Sequence, residues 1–507
     1  MKKISLFLLV LTLSLALAGC QDNVLEGEDL TMEEYLEKYT YVNTTNMLPA
    51  NGKVGITNIG DPQVFYDENE EKYFMTGTSD GRTISVWSSD DLTTWDQGTQ
   101  IFSRGDVSWA SENGMLWGAE IYEREGTYYL YFSIEIDGGS PRIGVASADS
   151  IYGPYEDKGS PMFDFNYSAI DNNLFTDTDG TSYMVYVKDA LDNEVNGVHE
   201  SHIYIVEVLD DFMSTKPSSE AVELIVPDTP WEKISGGAYW KWVEGCFMHK
   251  EGDNYYLFYS ANKFNEPAYS IGYAVSTSPT GPFVKSENNP LIYTVADEFS
   301  GPGNNSLFYS KDGKELLTAY HMHTNPDSPS GNRYLNIDRI GFREDGSVFF
   351  NGPTLTNQPI PSGMNEFHNL ISRDATVEVS STKEGYNANG INDGEVSVLA
   401  KYEAYDWVND DAEITDAFVK LSWDDTQVIN SIYIYQTNTV EYRALSVNLE
   451  FSNGYVIENV ILSDFTGEAA IINFNGVIAD WVKITVNEVG FGQSAFGLGE
   501  VMIFGSK

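Results

Sequence analysis

From Gly55 onward, apolar and aromatic positions fall in short runs that return about every fifty to seventy residues. The clearest are residues 73–75, 128–133, 183–186, 255–260 and 316–321, each rich in Tyr, Phe, Leu, Met or Val. Each is entered through an acidic or glycine turn, at 69–72, 124–126, 177–180, 250–253 and 311–313. A following run also recurs: Ile84-Ser85-Val86-Trp87, then Ile143-Gly144-Val145-Ala146 leading to Gly153-Pro154-Tyr155, then Ile271-Gly272-Tyr273-Ala274 leading to Gly281-Pro282-Phe283. Short β-rich runs bounded by turn residues read as strands. Five such units, each a small sheet, predict a five-bladed β-propeller over residues 51–353. A sandwich does not repeat in this way. After Asn351-Gly352-Pro353 the repeat stops, and residues 354–370, with Pro359, Pro361 and Gly363, read as a linker. Strict alternation then takes over at 417–423, 429–435, 445–451 and 482–486, which predicts an antiparallel, jelly-roll-like β-sandwich over 371–507. The fold class is all-β.

The first fifty residues have a different pattern. Lys2 and Lys3 precede an apolar run from Ile4 to Leu17 that ends in Leu17-Ala18-Gly19-Cys20. The run is too short for a good membrane span and reads as a targeting segment. Its ending resembles the bacterial lipoprotein signal, which implies lipidation of Cys20 and an exported protein anchored to the outer membrane, facing the surface or the periplasm. Residues 21–50 are then an acidic spacer, with Met32-Glu33-Glu34-Tyr35-Leu36 its one helix-like piece. The only other cysteine is Cys246, so the mature chain has no intrachain disulfide to form. At 507 residues the chain has room for two or three domains. Its formal charge of -47 excludes nucleic acid and anionic membrane surfaces as partners, since both are polyanions. Membrane contact is expected through the lipid alone, and the protein is expected to be a monomer.

Three carboxylates change the picture. Asp61 in Gly60-Asp61-Pro62-Gln63-Val64, Asp171 in Ile170-Asp171-Asn172-Asn173-Leu174 and Glu244 in Val243-Glu244-Gly245-Cys246 each stand at the mouth of a strand rather than along its face. Read as equivalent places in three blades, they converge at the ring's centre. Inverting hydrolysis of a glycosidic bond uses one carboxylate to activate water and one carboxylic acid to protonate the leaving oxygen. A third carboxylate keeps that acid protonated. Around them, Trp87, Trp109 and Trp117 are candidates to stack on a sugar face, with Trp117 preferred. His321 and His323 share one side of a strand, and His321 is read as a structural or substrate contact rather than half of a metal pair.

The propeller resembles glycoside hydrolase family 43 over roughly residues 55–353. Asp61-Pro62-Gln63-Val64 matches the family's Asp-Pro-x-Val motif, which implies that Asp61 is the general base. Ile170-Asp171 through Phe175 matches Ile-Asp-x-x-x-Phe, implying that Asp171 orients the acid and raises its pKa. Glu244-Gly245, with Cys246 where the family has proline, implies that Glu244 is the general acid. Trp117-Gly118-Ala119-Glu120 echoes Trp-Ala-Pro-Glu and gives Glu120 a supporting role. Gly301-Pro302-Gly303-Asn304 puts Asn304 where the family has a histidine that helps hold a central ion, often calcium. The resemblance thus leaves room for a structural calcium on Asn304 and requires no cofactor. Asn305, His321 and Arg333 are expected to touch substrate with Trp117. The C-terminal region resembles discoidin-like or carbohydrate-binding sandwiches, through 417–423 and through Trp481-Val482-Lys483-Ile484-Thr485 leading to Gly497–Gly505.

These readings together predict an exo-acting, inverting glycosidase on neutral plant-type oligosaccharide or polysaccharide. An α-L-arabinofuranosidase is favoured over β-xylosidase and β-galactofuranosidase. Two other classes compete: a non-catalytic glycan-binding propeller lipoprotein, and a retaining enzyme on a related five-bladed fold.

Overall fold

The computed structural model describes residues 30–43, 58–396, 398, 404–410, 414 and 417–506. The leader, Cys20 and the stretches 21–29 and 44–57 lie outside the described residues. Five four-stranded antiparallel sheets follow one another along the chain, as the repeat predicted. Their inner strands are Gly60–Asp67, Leu116–Arg124, Ala169–Thr176, Val243–Glu251 and Gly303–Tyr309. Their second strands are Lys72–Thr78, Thr127–Glu135, Ser182–Lys188, Asn254–Ala261 and Leu316–His323.

The nearly unbroken apolar character of the second strands has a direct cause. A strand sends alternate side chains to opposite faces. In blade two, Leu130 and Phe132 pack toward blade one, while Tyr131 packs into blade three. In blade four, Leu257 and Tyr259 join blade three, and Tyr256 and Phe258 join blade five. A fifth cluster, with Tyr73 and Met75 against Leu317 and Ala319, joins blade five to blade one. With both faces buried the strands cannot alternate with polar residues. Tight hairpins serve the turns: Glu125 and Gly126, at φ +53° and +82°, take the left-handed pair that a two-residue turn needs. All four strands of blade five come from consecutive chain, so closure onto blade one rests on side chains and the shared core. Ser306 Oγ donates to the Pro62 carbonyl at 3.0 Å and accepts from Val64 N–H at 3.3 Å.

The C-terminal region is also built of strands. Phe418–Gln436 and Ala470–Val489 are its long members, joined by Ala444–Phe451, Val456–Ile461 and Gly497–Ser506. Register breaks between Ser422 and Gln427 let the long pair run through both halves, so hydrogen bonding links the strands into one eight-stranded sheet around a single core of Val419, Leu421, Ile432, Ile434, Val482 and Ile503.

The expected boundaries need correction. Of the described residues, one compact unit takes in 30–41, Asn357–Pro359 and those from Asn365 onward, and the other takes in those of 42–356 and Ile360–Met364. Residues 31–41 are therefore not spacer. A capping box of Thr31 and Glu34 starts a helix, Met32–Tyr39. Its Tyr35 and Tyr39 are buried, with Tyr35 Oη 3.0 Å from Tyr433 Oη and Tyr39 stacked on His368. Thr40–Tyr41 then pairs with Gln358–Pro359, inside the stretch expected to be a linker.

Candidate active site

All five inner strands carry the same defect. Their pairing with the second strand breaks at 60/63, 117/120, 170/173, 244/247 and 303/306, so two residues bulge in each blade. The first bulged residue is left-handed every time: Asp61 at φ +53°, Gly118 at +59°, Asp171 at +51°, Gly245 at +58° and Asn304 at +50°. Only Gly, Asn and Asp adopt this conformation at low cost, and these are the residues present. Asp61 and Asp171 are thus true equivalents. Glu244 is not: it stands one residue earlier, on the position of Gly60, Trp117, Ile170 and Gly303. Two rings of side chains result, and the acid and base come from different ones.

A bulge leaves its N–H without a ladder partner, and here each is satisfied by a side chain from the preceding blade. Gly118 N–H donates to Thr78 Oγ1 at 2.9 Å, Asp171 N–H to Ser133 Oγ at 3.1 Å, and Asn304 N–H to Ser260 Oγ at 2.7 Å. Asp61 N–H donates to His321 Nδ1 at 3.1 Å. These acceptors sit opposite the residue before the bulge on the second strand, a register position that Val187 fills in blade three. Valine has no acceptor, and Gly245 N–H instead donates to Asp171 Oδ2 at 2.8 Å. That bond carries Asp171 to the residue next to Glu244.

Asp61 accepts from three donors. Thr78 Oγ1 lies 2.6 Å from Oδ2; Arg333 Nη1 and Asn304 Nδ2 lie 2.8 and 3.0 Å from Oδ1. A carboxylate offers about four acceptor sites, so one remains for a water. Arg333 crosses the backbone of Gly60, where a Cβ would meet its guanidinium at 2.0 Å, and it lies 5.0 Å from the Phe264 ring centre.

Asp171 and Glu244 sit in a different electrostatic setting. Burial pushes Asp171 up to about 7, and the charge of Asp61 adds to this, while the Gly245 N–H opposes it. Glu244 is raised well above the carboxylate range, first by burial and then by Asp171, with a Tyr269 hydroxyl donating to it in opposition. Both groups expose some surface; the shifts follow the protein packed on their other sides. Burial and the Arg333 charge hold His321 well below the usual histidine range. It is neutral, with Nδ1 as acceptor and the proton on Nε2. Glu120 is likewise pushed up, to about 8, by burial, and accepts from Tyr122 Oη at 2.6 Å.

The structure brings Asp61, Asp171, Glu244, His321 and Arg333 together, while Trp117, on the strand position of Glu244 in blade two, packs against the core between blades three and four. Asn305 is excluded: it is buried, with its amide 3.4 Å from Thr318 Oγ1 inside blade five. His321 serves the backbone of Asp61 and packs on Tyr269, with ring centres 5.7 Å apart. His323 is spoken for by Ser300 and the Phe264 carbonyl, so the two histidines are no metal pair. Trp109 bonds Asp157, and Trp87 packs in the core shared by blades five and one. Asn304 turns an amide N–H, not its oxygen, to Asp61. Calcium takes six to eight oxygens, and among the described residues no three His, Cys, Asp or Glu side chains converge to hold a metal. Tyr269 escapes a reading of the sequence because it reaches Glu244 from a loop of blade four, over Gly303, where a Cβ would lie 1.9 Å from its ring.

Residues 54–348 match the model of "Glycosyl hydrolases family 43", and residues 370–504 match a domain of unknown function. The "Beta-D-galactofuranosidase xynD" of Aspergillus niger is 30% identical over 280 residues, covering 52% of this chain and 73% of the relative. A "Probable arabinan endo-1,5-alpha-L-arabinosidase A" of Emericella nidulans is 28% identical, covering 53% and 84%. Among solved structures, a thermostable family-43 glycoside hydrolase is 39% identical at a TM-score of 0.58, covering 64% of this chain and all of that one. An endo-1,4-beta-xylanase from Bacteroides thetaiotaomicron is 30% identical at 0.51, covering 60% and 98%. With its five blades, its bulge-borne carboxylates and a family match over more than half its length, the chain belongs to glycosyl hydrolase family 43.

Proposed function

We propose that this glycosidase removes single terminal α-L-arabinofuranosyl units from plant-type oligosaccharide or polysaccharide, with inversion. The observation that carries the reading is the split between the two carboxyl environments. Asp61 faces three donors, one of them a guanidinium, whereas Glu244 is held protonated by burial and by Asp171. A water on the free acceptor site of Asp61 gives that carboxylate its proton as its oxygen attacks the anomeric carbon. Glu244 passes its own proton to the glycosidic oxygen as the bond to the leaving sugar breaks. Asp171, fixed by Gly245 N–H, keeps Glu244 protonated until then. Tyr269, neutral because burial raises it well above its ordinary value, holds the carboxyl in place.

The test is a panel of arabinofuranoside, xyloside and galactofuranoside oligosaccharides with their nitrophenyl counterparts. Glu244→Gln is expected to lose about 10²–10⁴-fold on the oligosaccharide, as removal of a general acid does, and less on aryl glycosides, whose leaving group needs little protonation. Product anomer, read by NMR at early time, checks inversion. The galactofuranosidase relative makes β-D-galactofuranoside the second substrate to expect. If wild type releases sugar from none of these, the proposed activity is wrong. The protein is further proposed to be an exported monomeric lipoprotein anchored through Cys20. Cys20→Ala should then move it from the membrane fraction to the soluble one.

A further inference from the structure

Blade three carries an insertion between its second and third strands, and blade four is entered through a long loop. Both lie at the end of the propeller where the inner strands begin, which is the end of the carboxylates. Glu194–Val195 pairs with Val198–Glu200, which pairs in parallel with Trp240–Lys241, setting His199 opposite Trp240. The His199 and Trp240 rings stack at 4.2 Å and 11°, and Trp240 and Trp242 lie 6.1 Å apart at 13°. Three rings with near-parallel planes thus form a row that ends two residues before Glu244. Tyr239 beside them is 68% exposed.

Among the described residues, Trp240 and Trp242 belong to none of the six hydrophobic cores. Trp242 lies over Gly236, where a Cβ would meet its ring at 2.7 Å, and hydrogen bonds fix the backbone around the row. Lys241 Nζ donates to the carbonyls of Lys233, Ser235 and Gly237 at 3.4, 3.2 and 2.6 Å. Asn262 Oδ1 accepts from Ile234 and Ser235 N–H. His199 Nδ1–H donates to the Ala190 carbonyl at 3.0 Å, which fixes its ring. Aromatic faces pre-positioned in this way bind the apolar faces of sugars at little entropic cost.

We propose that His199, Trp240 and Trp242, with Tyr239, form the leaving-group wall of the site, engaging the sugars beyond the cleaved bond and selecting neutral chains of several sugars over short ones. The inference rests on Glu244 being the acid that protonates the leaving oxygen, because the row leads into that residue. It deepens the proposed activity by naming chain length as what the site reads.

The experiment is kcat/KM against chain length, from two to six sugars, on arabino-, xylo- and galactofurano-oligosaccharides for wild type, Trp240→Ala, Trp240→Phe and Tyr239→Ala. Wild type should rise with length on the series it cleaves. Trp240→Ala should flatten that rise, so that the six-to-two ratio falls about tenfold, the scale of a lost aromatic contact. Trp240→Phe should retain most of the rise, and Tyr239→Ala should lose part of it. If Trp240→Ala does not fold, Tyr239→Ala on its exposed ring gives the same reading. An equal loss at every length, or no loss at all, overturns the wall while leaving the activity standing. Wild-type inactivity on all three series overturns the proposed activity and the wall with it.

Discussion

Gly60 and Gly303 are the least conspicuous residues of the site and among the most constrained. Each stands on the ring position that Glu244 occupies in blade four, and each yields its place to a side chain from elsewhere, Arg333 in one case and Tyr269 in the other. Gly60→Ala should drive Arg333 off Asp61 and lower kcat by at least about tenfold with little change in fold, read by steady-state kinetics beside circular dichroism. The titration of the acid gives a second outcome. Glu244 works while protonated, so kcat/KM should fall as pH rises through its elevated pKa. Asp171→Asn removes a negative charge that raises Glu244, so this alkaline limb should move down by about one pH unit. Stability carries the opposite sign of the usual carboxylate effect. Asp171 rises from 3.8 to about 7 on folding, so the folded state binds its proton more tightly. Its contribution is full below pH about 4 and is lost as pH climbs to about 7. Urea midpoints of Asp171→Asn should accordingly fall less than those of wild type across that range. The three carboxylates were legible because each sits in a local motif. Tyr269 and the donor role of Asn304 were not, since both depend on chain brought from another blade or loop.

At the level of the strand, the bulge decides what each side chain faces. Alternation along an inner strand would assign neighbours to opposite faces, but each bulge sets two residues against one, and that one extra residue resets the parity. This is why Asn305, next to Asn304 in sequence, ends inside blade five, and why Glu244 and Asp171 look equivalent in sequence but differ by one position. The same strands set Asp171 by a missing group. Four blades supply a Thr, Ser or His acceptor to the next bulge, and Val187 supplies none. Val187→Thr, nearly isosteric, should put a hydroxyl within reach of Gly245 N–H and compete with Asp171 for it. The expected result is a lower kcat and an alkaline limb shifted to lower pH, with KM little changed. An unaltered pH profile would refute this account of how Asp171 is positioned. The repeat, the blade count and the turns were readable from apolar periodicity, because second strands buried on both faces leave an unmistakable run. The bulges were not, since nothing in composition marks an extra residue.

For the molecule as a whole, the division of the chain departs most from what the sequence suggested. A helix of eight residues carries too little pattern to reveal its partner, so residues 31–41 read as spacer when they belong with the C-terminal unit. A fragment of residues 365–507 without them should bury less and melt several degrees lower, at about 3 °C per kcal/mol lost. A peptide of residues 30–41 added in trans should restore the difference, which thermal melts with and without it would show. The arrangement also fixes the order in which the parts of each unit become available. The propeller can complete its ring once blade five has emerged, whereas the first segment of the C-terminal unit is made before the propeller and its last strand, Gly497–Ser506, after it. Tyr35 and Tyr39 must therefore wait, in a helix too short to persist alone, while more than four hundred residues are synthesised. A segment made before the propeller is among the last to find its place.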